Sequence, residues 1–266
     1  MTRQMTRENV ADILCIGAQR SMTSWLHHVL AAHPETSPFP NFNPVTSTSK
    51  EAHFWDWNRH RGIDWYRRLM RPWNDAHKTL DFTPEYAFLT AQKIAECKSL
   101  NPSAKVIYIL RDPMARAMSA LRMHTLWAIG GDAPENTRIT YDTAFTDRCR
   151  NARLWQHAAY CDNIYRWRAA YPDMLILNFE ELRADPVAGA EQVMDFCGLN
   201  SATLEDEQRA DLKDRAQQVI WKTPAFPFHP DCLHFLSGMT DGESARLNRD
   251  FGFQFSETQG LLEAAA

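Results

Sequence analysis

A chain of 266 residues with 44% hydrophobic and 23% charged residues has the make-up of a folded globular protein, which excludes disordered, collagen-like and coiled-coil architectures. Its formal net charge of −4 gives no overall attraction to nucleic acid or to an anionic membrane, so any bound anion has to be held by a local cluster of cations. The six cysteines, at 15, 97, 149, 161, 197 and 232, lack CxxC pairs and zinc-type His/Cys spacing, so neither a disulfide framework nor a metal is expected.

The first eight residues, Met1 to Glu8, carry no apolar leader, and no run of about 18 apolar residues follows anywhere; the expectation is a cytoplasmic protein of bacterial type without a membrane span. Ile13-Leu14-Cys15-Ile16 is a short apolar run with strand character, and a helical pattern follows from Ser24 to Ala32. Next come a helix from Thr90 to Ser99, a second apolar strand at Val106-Ile107-Tyr108-Ile109-Leu110, and a helix from Pro113 to Leu126 with Asp112 as its N-cap. Leu154, Ala158, Cys161 and Tyr165 recur at three- and four-residue steps, predicting one helix over about 148–170. A third strand, Leu175 to Phe179, and a helix from Pro186 to Cys197 complete the pattern.

Strands that are apolar throughout are buried on both faces. Separated by helices, they imply an α/β fold with a central parallel sheet flanked by helices. With no linker or repeat visible, one domain over 1–266 is expected, with a core of about 12–200 and a helical and loop region of about 201–266. In such a fold ligands sit at the carboxyl ends of the strands.

Two strand ends carry the informative residues. After the first comes Gly17-Ala18-Gln19-Arg20-Ser21-Met22-Thr23-Ser24-Trp25-Leu26. There the free amides of a helix start, the hydroxyls of Ser21, Thr23 and Ser24, and the charge of Arg20 suit a phosphate. It is not a Walker A loop, because the second glycine and the lysine are missing. After the second strand comes Arg111-Asp112-Pro113-Met114-Ala115-Arg116-Ala117-Met118-Ser119, in which Arg111 and Ser119 are placed to reach a second phosphate.

In this order and about 90 residues apart, the two segments resemble the cofactor motifs of sulfotransferases that use 3′-phosphoadenosine 5′-phosphosulfate (PAPS). Lys50-Glu51-Ala52-His53-Phe54-Trp55-Asp56 resembles the K-E-x-H-F-F-D of the carbohydrate-type branch, and Asp81-Phe82-Thr83-Pro84-Glu85-Tyr86 its [ST]-P-x-Y segment. Asn178-Phe179-Glu180-Glu181-Leu182, Asp185-Pro186 and Phe196-Cys197-Gly198-Leu199 are similar to its later stretch.

The resemblance implies a P-loop-like sulfotransferase fold that transfers a sulfuryl group, without a metal, from PAPS to a hydroxyl or amine of a small molecule or carbohydrate, leaving the product PAP. It assigns Arg20, Ser21, Met22, Thr23 and Ser24 to the 5′ end, Trp25 to the adenine, and Arg111 and Ser119 to the 3′-phosphate, with Lys222 as a candidate from the late basic loop. It implies Glu51 as general base, its pKa raised by packing from Phe54 and Trp55, with His53 as competitor. Arg20 and Lys50 would offset the charge on the departing phosphate.

Three departures stand out. Arg20 and Met22 replace the family lysine and glycine, and Phe82 stands where the carbohydrate branch has a lysine. A methionine in left-handed geometry costs on the order of 1 kcal/mol, so either the loop takes a right-handed path or it is reshaped. Alternative readings are a non-catalytic nucleotide-binding protein on the same fold and a P-loop-type kinase. Trp55, Trp57, Trp65 and Trp73 offer an aromatic platform or core packing, and Trp221 to Pro230 a proline-stiffened loop whose aromatics either close over a site or make a plain packed connection.

Overall fold

The computed structural model describes residues 10–39, 49–200 and 204–263. Among them the sheet has five strands: β1 (Ile13–Cys15), β2 (Thr36–Pro38), β3 (Lys78–Asp81), β4 (Lys105–Leu110) and β5 (Leu175–Asn178). They run parallel in the order β2-β3-β1-β4-β5. β1 lies in the middle, with Ile13 opposite Leu80 on one side and Lys105 on the other.

The helices are α1 (Thr23–Leu30), α2 (Ile63–Leu69), α3 (Ala91–Leu100), α4 (Pro113–Ala128), α5 (Thr143–Cys149) and α6 (Ala152–Gln156). They continue with α7 (Tyr160–Ala170), α8 (Phe179–Ala184), α9 (Pro186–Cys197), α10 (Asp206–Gln217), α11 (Pro230–Phe251) and α12 (Glu257–Glu263). Because strand side chains alternate between faces, Leu14, Val106, Tyr108 and Leu110 join one core with α3, α7 and α11, through residues such as Ile94, Ile164 and Leu247. Ile13, Cys15, Ile107 and Ile109 join another, with α1, α8, α9 and α10, through Leu26, Leu182, Val193 and Leu212. This is the three-layer α/β arrangement that the apolar runs imply.

The three apolar strands and the helices at 91–100, 113–128 and 186–197 lie where the sequence places them. Asp112 caps α4 by accepting from the Ala115 amide at 2.9 Å. β2 and β3 lack an apolar run, and their burial depends on polar partners supplied by other segments. Thr79 Oγ1, for example, donates to the Val10 carbonyl at 3.1 Å.

The single helix expected over about 148–170 is divided into α6 and α7. The Arg116 guanidinium takes the Leu154 carbonyl at 2.5 Å and the Asn163 amide takes that of Gln156 at 3.0 Å. Side chains thereby satisfy acceptors that a continuous helix would use. The break leaves His157 buried beside Glu85. All six cysteines are free and buried. Among the described residues no helix is long and apolar enough to cross a membrane.

Candidate active site

The chain leaves β1 through Gly17, whose φ of 131° and close approach to the Pro84 carbonyl, 3.0 Å from where a Cβ would stand, leave room only for glycine. Arg20 and Met22 then adopt left-handed backbone, with φ of 71° and 62°. The right-handed path that would spare Met22 is therefore not taken, and the loop carries strain at two positions with a Cβ. Met22→Gly is expected to leave the melting temperature unchanged or raise it. Relief of about 1 kcal/mol offsets the loss of a half-buried side chain, and a clear fall in thermal unfolding would show that packing of Met22 outweighs the strain.

This turn brings the two strand-end arginines together. Arg20 donates from Nε to Ser119 Oγ on α4 at 3.1 Å, and also donates to Thr223 Oγ1. Arg111 donates to the Arg20 carbonyl at 3.1 Å. Burial, with the neighbouring Arg111 charge, lowers the Arg20 pKa to about 10, which leaves it charged at neutral pH. No side chain caps α1, and the buried Ser21 Oγ has no hydrogen-bond partner among the described residues.

A cavity of about 320 Å³ opens here, lined by residues 20–25, Arg111, Phe179, Arg183, Pro186 and 216–221. Uncapped amides, an orphaned hydroxyl and three arginines make its wall a receptor for anionic oxygens. Trp25 and Phe179 add apolar surface. Arg111 is also held by Glu257 of α12, whose carboxylate accepts at 2.8 Å and 2.5 Å.

A second cavity, about 430 Å³, shares Arg20, Thr23, Ser24 and Trp221 with the first, and its wall includes Lys50, Glu51, His53, Trp57, Glu85, Trp127, Arg153 and His157. The segment carrying Glu51 is fastened to the end of β3. Asp81, fully buried, accepts from Tyr66 and Tyr86 hydroxyls at 2.9 Å each, from Thr83 at 2.7 Å and from the Ala52 amide at 3.2 Å. The Tyr86 hydroxyl in turn accepts from the Phe54 amide at 2.7 Å, and Thr83 Oγ1 from that of His53 at 3.2 Å. Asp81 and Thr83 are thus scaffold and do not line either cavity.

Lys50 donates to Glu51, and the other Glu51 oxygen lies 3.5 Å from His53 Nε2. His53 adopts φ 50°, stacks on Trp57 at 3.6 Å and meets Asp56 through Nδ1 at 2.9 Å. Burial would lower its pKa, but hydrogen bonds to Asp56 and Glu51 and the charges of Asp56 and Glu85 outweigh that and raise it to about 9. At neutral pH His53 is therefore a cation and a proton donor. Since 9 exceeds the ordinary 6.5, its contribution to stability is complete below about pH 6.5 and lost as pH rises through 9. Urea unfolding should show this decline in the wild type and a flatter profile in His53→Gln; identical profiles would mean the imidazole is neutral in the fold.

His53, Asp56 and Glu85 are the group of possible metal ligands that converges among the described residues, within 4.8 Å of one another. There Nδ1 of His53 meets Asp56 and Nε2 faces Glu51, so each ring nitrogen has a carboxylate with which to share a proton. Glu51 meets the charges of Lys50 and His53, whereas Phe54 and Trp55 turn into the core. Trp65 packs against that core, Trp73 is exposed, and Trp57 lines the second cavity. In the proline-stiffened loop Trp221 borders both cavities, while Phe226 and Phe228 are buried against α4 and α11 residues.

Arg20, Ser21, Met22, Thr23, Ser24, Trp25 and Arg111 all line the first cavity, and Lys50, Glu51 and His53 the second. Ser119 reaches the site through Arg20. Lys222 is exposed and lines neither; its neighbour Thr223 contacts Arg20 instead. Sequence reasoning missed Glu85, Trp127, Arg153, His157 and Arg183. Only Glu85, inside the Thr83-Pro84-Glu85-Tyr86 stretch, had a nearby signal.

Residues 11–224 match the family model described as a sulfotransferase domain. The chain is 30% identical over 201 residues to heparan sulfate glucosamine 3-O-sulfotransferase 3A1 of Mus musculus, covering 72% of this chain and 47% of that protein. It is 29% identical over 257 residues to heparan sulfate glucosamine 3-O-sulfotransferase 3B1 of Homo sapiens, covering 92% of this chain and 61% of that one. It therefore spans roughly half the length of these curated relatives. A solved sulfotransferase from Alicyclobacillus acidocaldarius shares the fold at a TM-score of 0.66 and 20% identity, over 94% of this chain and 98% of that one.

Proposed function

The chain belongs to the sulfotransferase family and is an enzyme of that class, and from this premise we propose that it moves a sulfuryl group from PAPS to a hydroxyl of a carbohydrate or small molecule, with Glu51 as general base. The observation that carries the reading is the wall common to the two cavities, where Arg20, Thr23, Ser24 and Trp221 border both. A donor in one cavity and an acceptor in the other would meet there. The two curated relatives named above act, by their names, on heparan sulfate glucosamine, which favours a carbohydrate acceptor. The kinase and non-catalytic readings lose their footing once the family is known.

The first cavity fits the donor: the orphaned Ser21 hydroxyl, the uncapped start of α1 and Arg20 suit its 5′ end, and Arg111 its 3′-phosphate. When bound, PAPS supplies the sulfuryl group and a phosphate leaving group. Glu51 takes the proton of the acceptor hydroxyl as its oxygen becomes the nucleophile. Lys50 and the His53 imidazolium hold the Glu51 carboxylate from two sides. Arg20, charged and fixed by Ser119 and Thr223, offsets charge on the departing oxygen.

Calorimetry with PAP and with ATP tests the donor: PAP should bind more than tenfold tighter, because ATP has no 3′-phosphate for Arg111. Incubation with PAPS and a panel of sugars and phenols, read by mass spectrometry, tests the transfer. Equal binding of the two nucleotides, or no sulfated product from any acceptor, would overturn the reading.

A further inference from the structure

The motif residues by themselves leave the 3′-phosphate end of the first cavity with few donors. Ser119 Oγ, the hydroxyl expected there, accepts from Arg20, and Lys222 lies outside both cavities. Arg122, one turn past Ser119 on α4, holds the Phe226 carbonyl with its Nε at 2.9 Å and lies over the Phe228 ring. Arg111 would then face a dianion alone.

The neighbouring strand supplies a second guanidinium. β4 and β5 are paired with Leu110 opposite Asn178, so Arg111 and Phe179, the residues that follow them, leave the sheet side by side. Arg183 comes one turn after Phe179 on α8 and shares its face. The Phe179 ring accordingly meets both guanidiniums, Arg111 at 4.5 Å and Arg183 at 5.7 Å. Both arginines line the first cavity.

An anionic group of the chain itself already lies against the pair. The Glu257 carboxylate accepts from Arg111 at 2.8 Å and 2.5 Å and stands 3.8 Å from Arg183. A forked contact to two oxygens is how a guanidinium meets a carboxylate or a phosphate, so Glu257 marks the place of a phosphate here. Its contact to Arg183 is too long for a hydrogen bond. The Arg183 side chain is 63% exposed against 14% for Arg111, which leaves it room to move inward. A phosphate, with a larger charge and a third oxygen, offers Arg183 more than a carboxylate whose two oxygens Arg111 already holds.

We propose that Arg183 is the second guanidinium of the 3′-phosphate subsite, closing on the phosphate with Arg111 once Glu257 gives way, and so taking the part expected of a late basic loop. This rests on the donor reading above and adds to it a residue that no motif carries.

Calorimetry on the full chain, with PAP and with 5′-AMP, which has no 3′-phosphate, tests the assignment. Arg183→Ala should weaken PAP roughly 3- to 30-fold, less than a buried arginine would, and move 5′-AMP by no more than about twofold. In a Glu257→Gln background the loss from Arg183→Ala should persist at full size, because the arginine then acts on the phosphate and not through the carboxylate. PAP affinity unmoved in Arg183→Ala, an equal loss for 5′-AMP, or a loss that disappears in the Glu257→Gln background would each overturn the inference. Failure of PAP to bind the wild type would bring down the donor reading itself, whereas equally tight PAP binding by the wild type and Arg183→Ala sinks this inference only.

Discussion

Glu51→Gln is expected to cut turnover by roughly 10²- to 10⁴-fold, the usual worth of a positioned base. The amide keeps the shape of the side chain and can still accept from Lys50, but it cannot take a proton. Glu51 lines the second cavity and not the first, so PAP affinity should stay close to that of the wild type. Single-turnover rates with PAPS and a competent acceptor, alongside PAP calorimetry, separate the two effects. In the wild type His53 is protonated at neutral pH, its pKa raised to about 9, and so is not itself the base there. A turnover within a few-fold of wild type would remove Glu51 from the proton-accepting role and leave Glu85, the other carboxylate of that wall, as the group to test.

Arg111→Ala should weaken PAP by roughly 10- to 100-fold, the range for losing hydrogen bonds to a charged group. A nucleotide with only a 5′-phosphate should be affected far less. The structure adds a second arm to this experiment. Glu257 of α12 already grips Arg111 with both carboxylate oxygens, and its own amide is tied to Glu180 at 2.8 Å. A 3′-phosphate reaching Arg111 has to compete with that carboxylate. Glu257→Gln should accordingly tighten PAP several-fold, opposite in sign to the arginine variant. Equal losses for both nucleotides in Arg111→Ala would mean that this arginine braces the Arg20 loop through its carbonyl contact and does not read the 3′-phosphate.

The parts of the fold that were legible are those whose chemistry is local. Three short, β-rich apolar runs read as strands, and Asp112-Pro113 and Asp185-Pro186 announce helix starts that the structure realises as capped termini. β3 was not legible as a strand because its Thr79 and Asp81 are polar, and their burial draws on partners far along the chain, among them Val10, Asp12 and Tyr66. The same holds for the break between α6 and α7, where Arg116 and Asn163 remove the carbonyls from a helix that periodicity alone would continue.

The site divides along the same line. Spacing along the chain was enough to single out the loop after β1, the Arg111 to Ser119 segment and Glu51, since each motif is contiguous and its reach is set by one strand end or one helix start. Whether Met22 would yield its left-handed backbone, whether His53 would carry a proton, and which residues would wall the second cavity were questions of neighbours. Glu85, Trp127, Arg153 and His157 belong to different segments, and no periodicity links them. Folding alone brings them together, and burial there holds His157 neutral, whereas the charge of His53 is set chiefly by its sequence neighbours Asp56 and Glu51 with Glu85 adding to it.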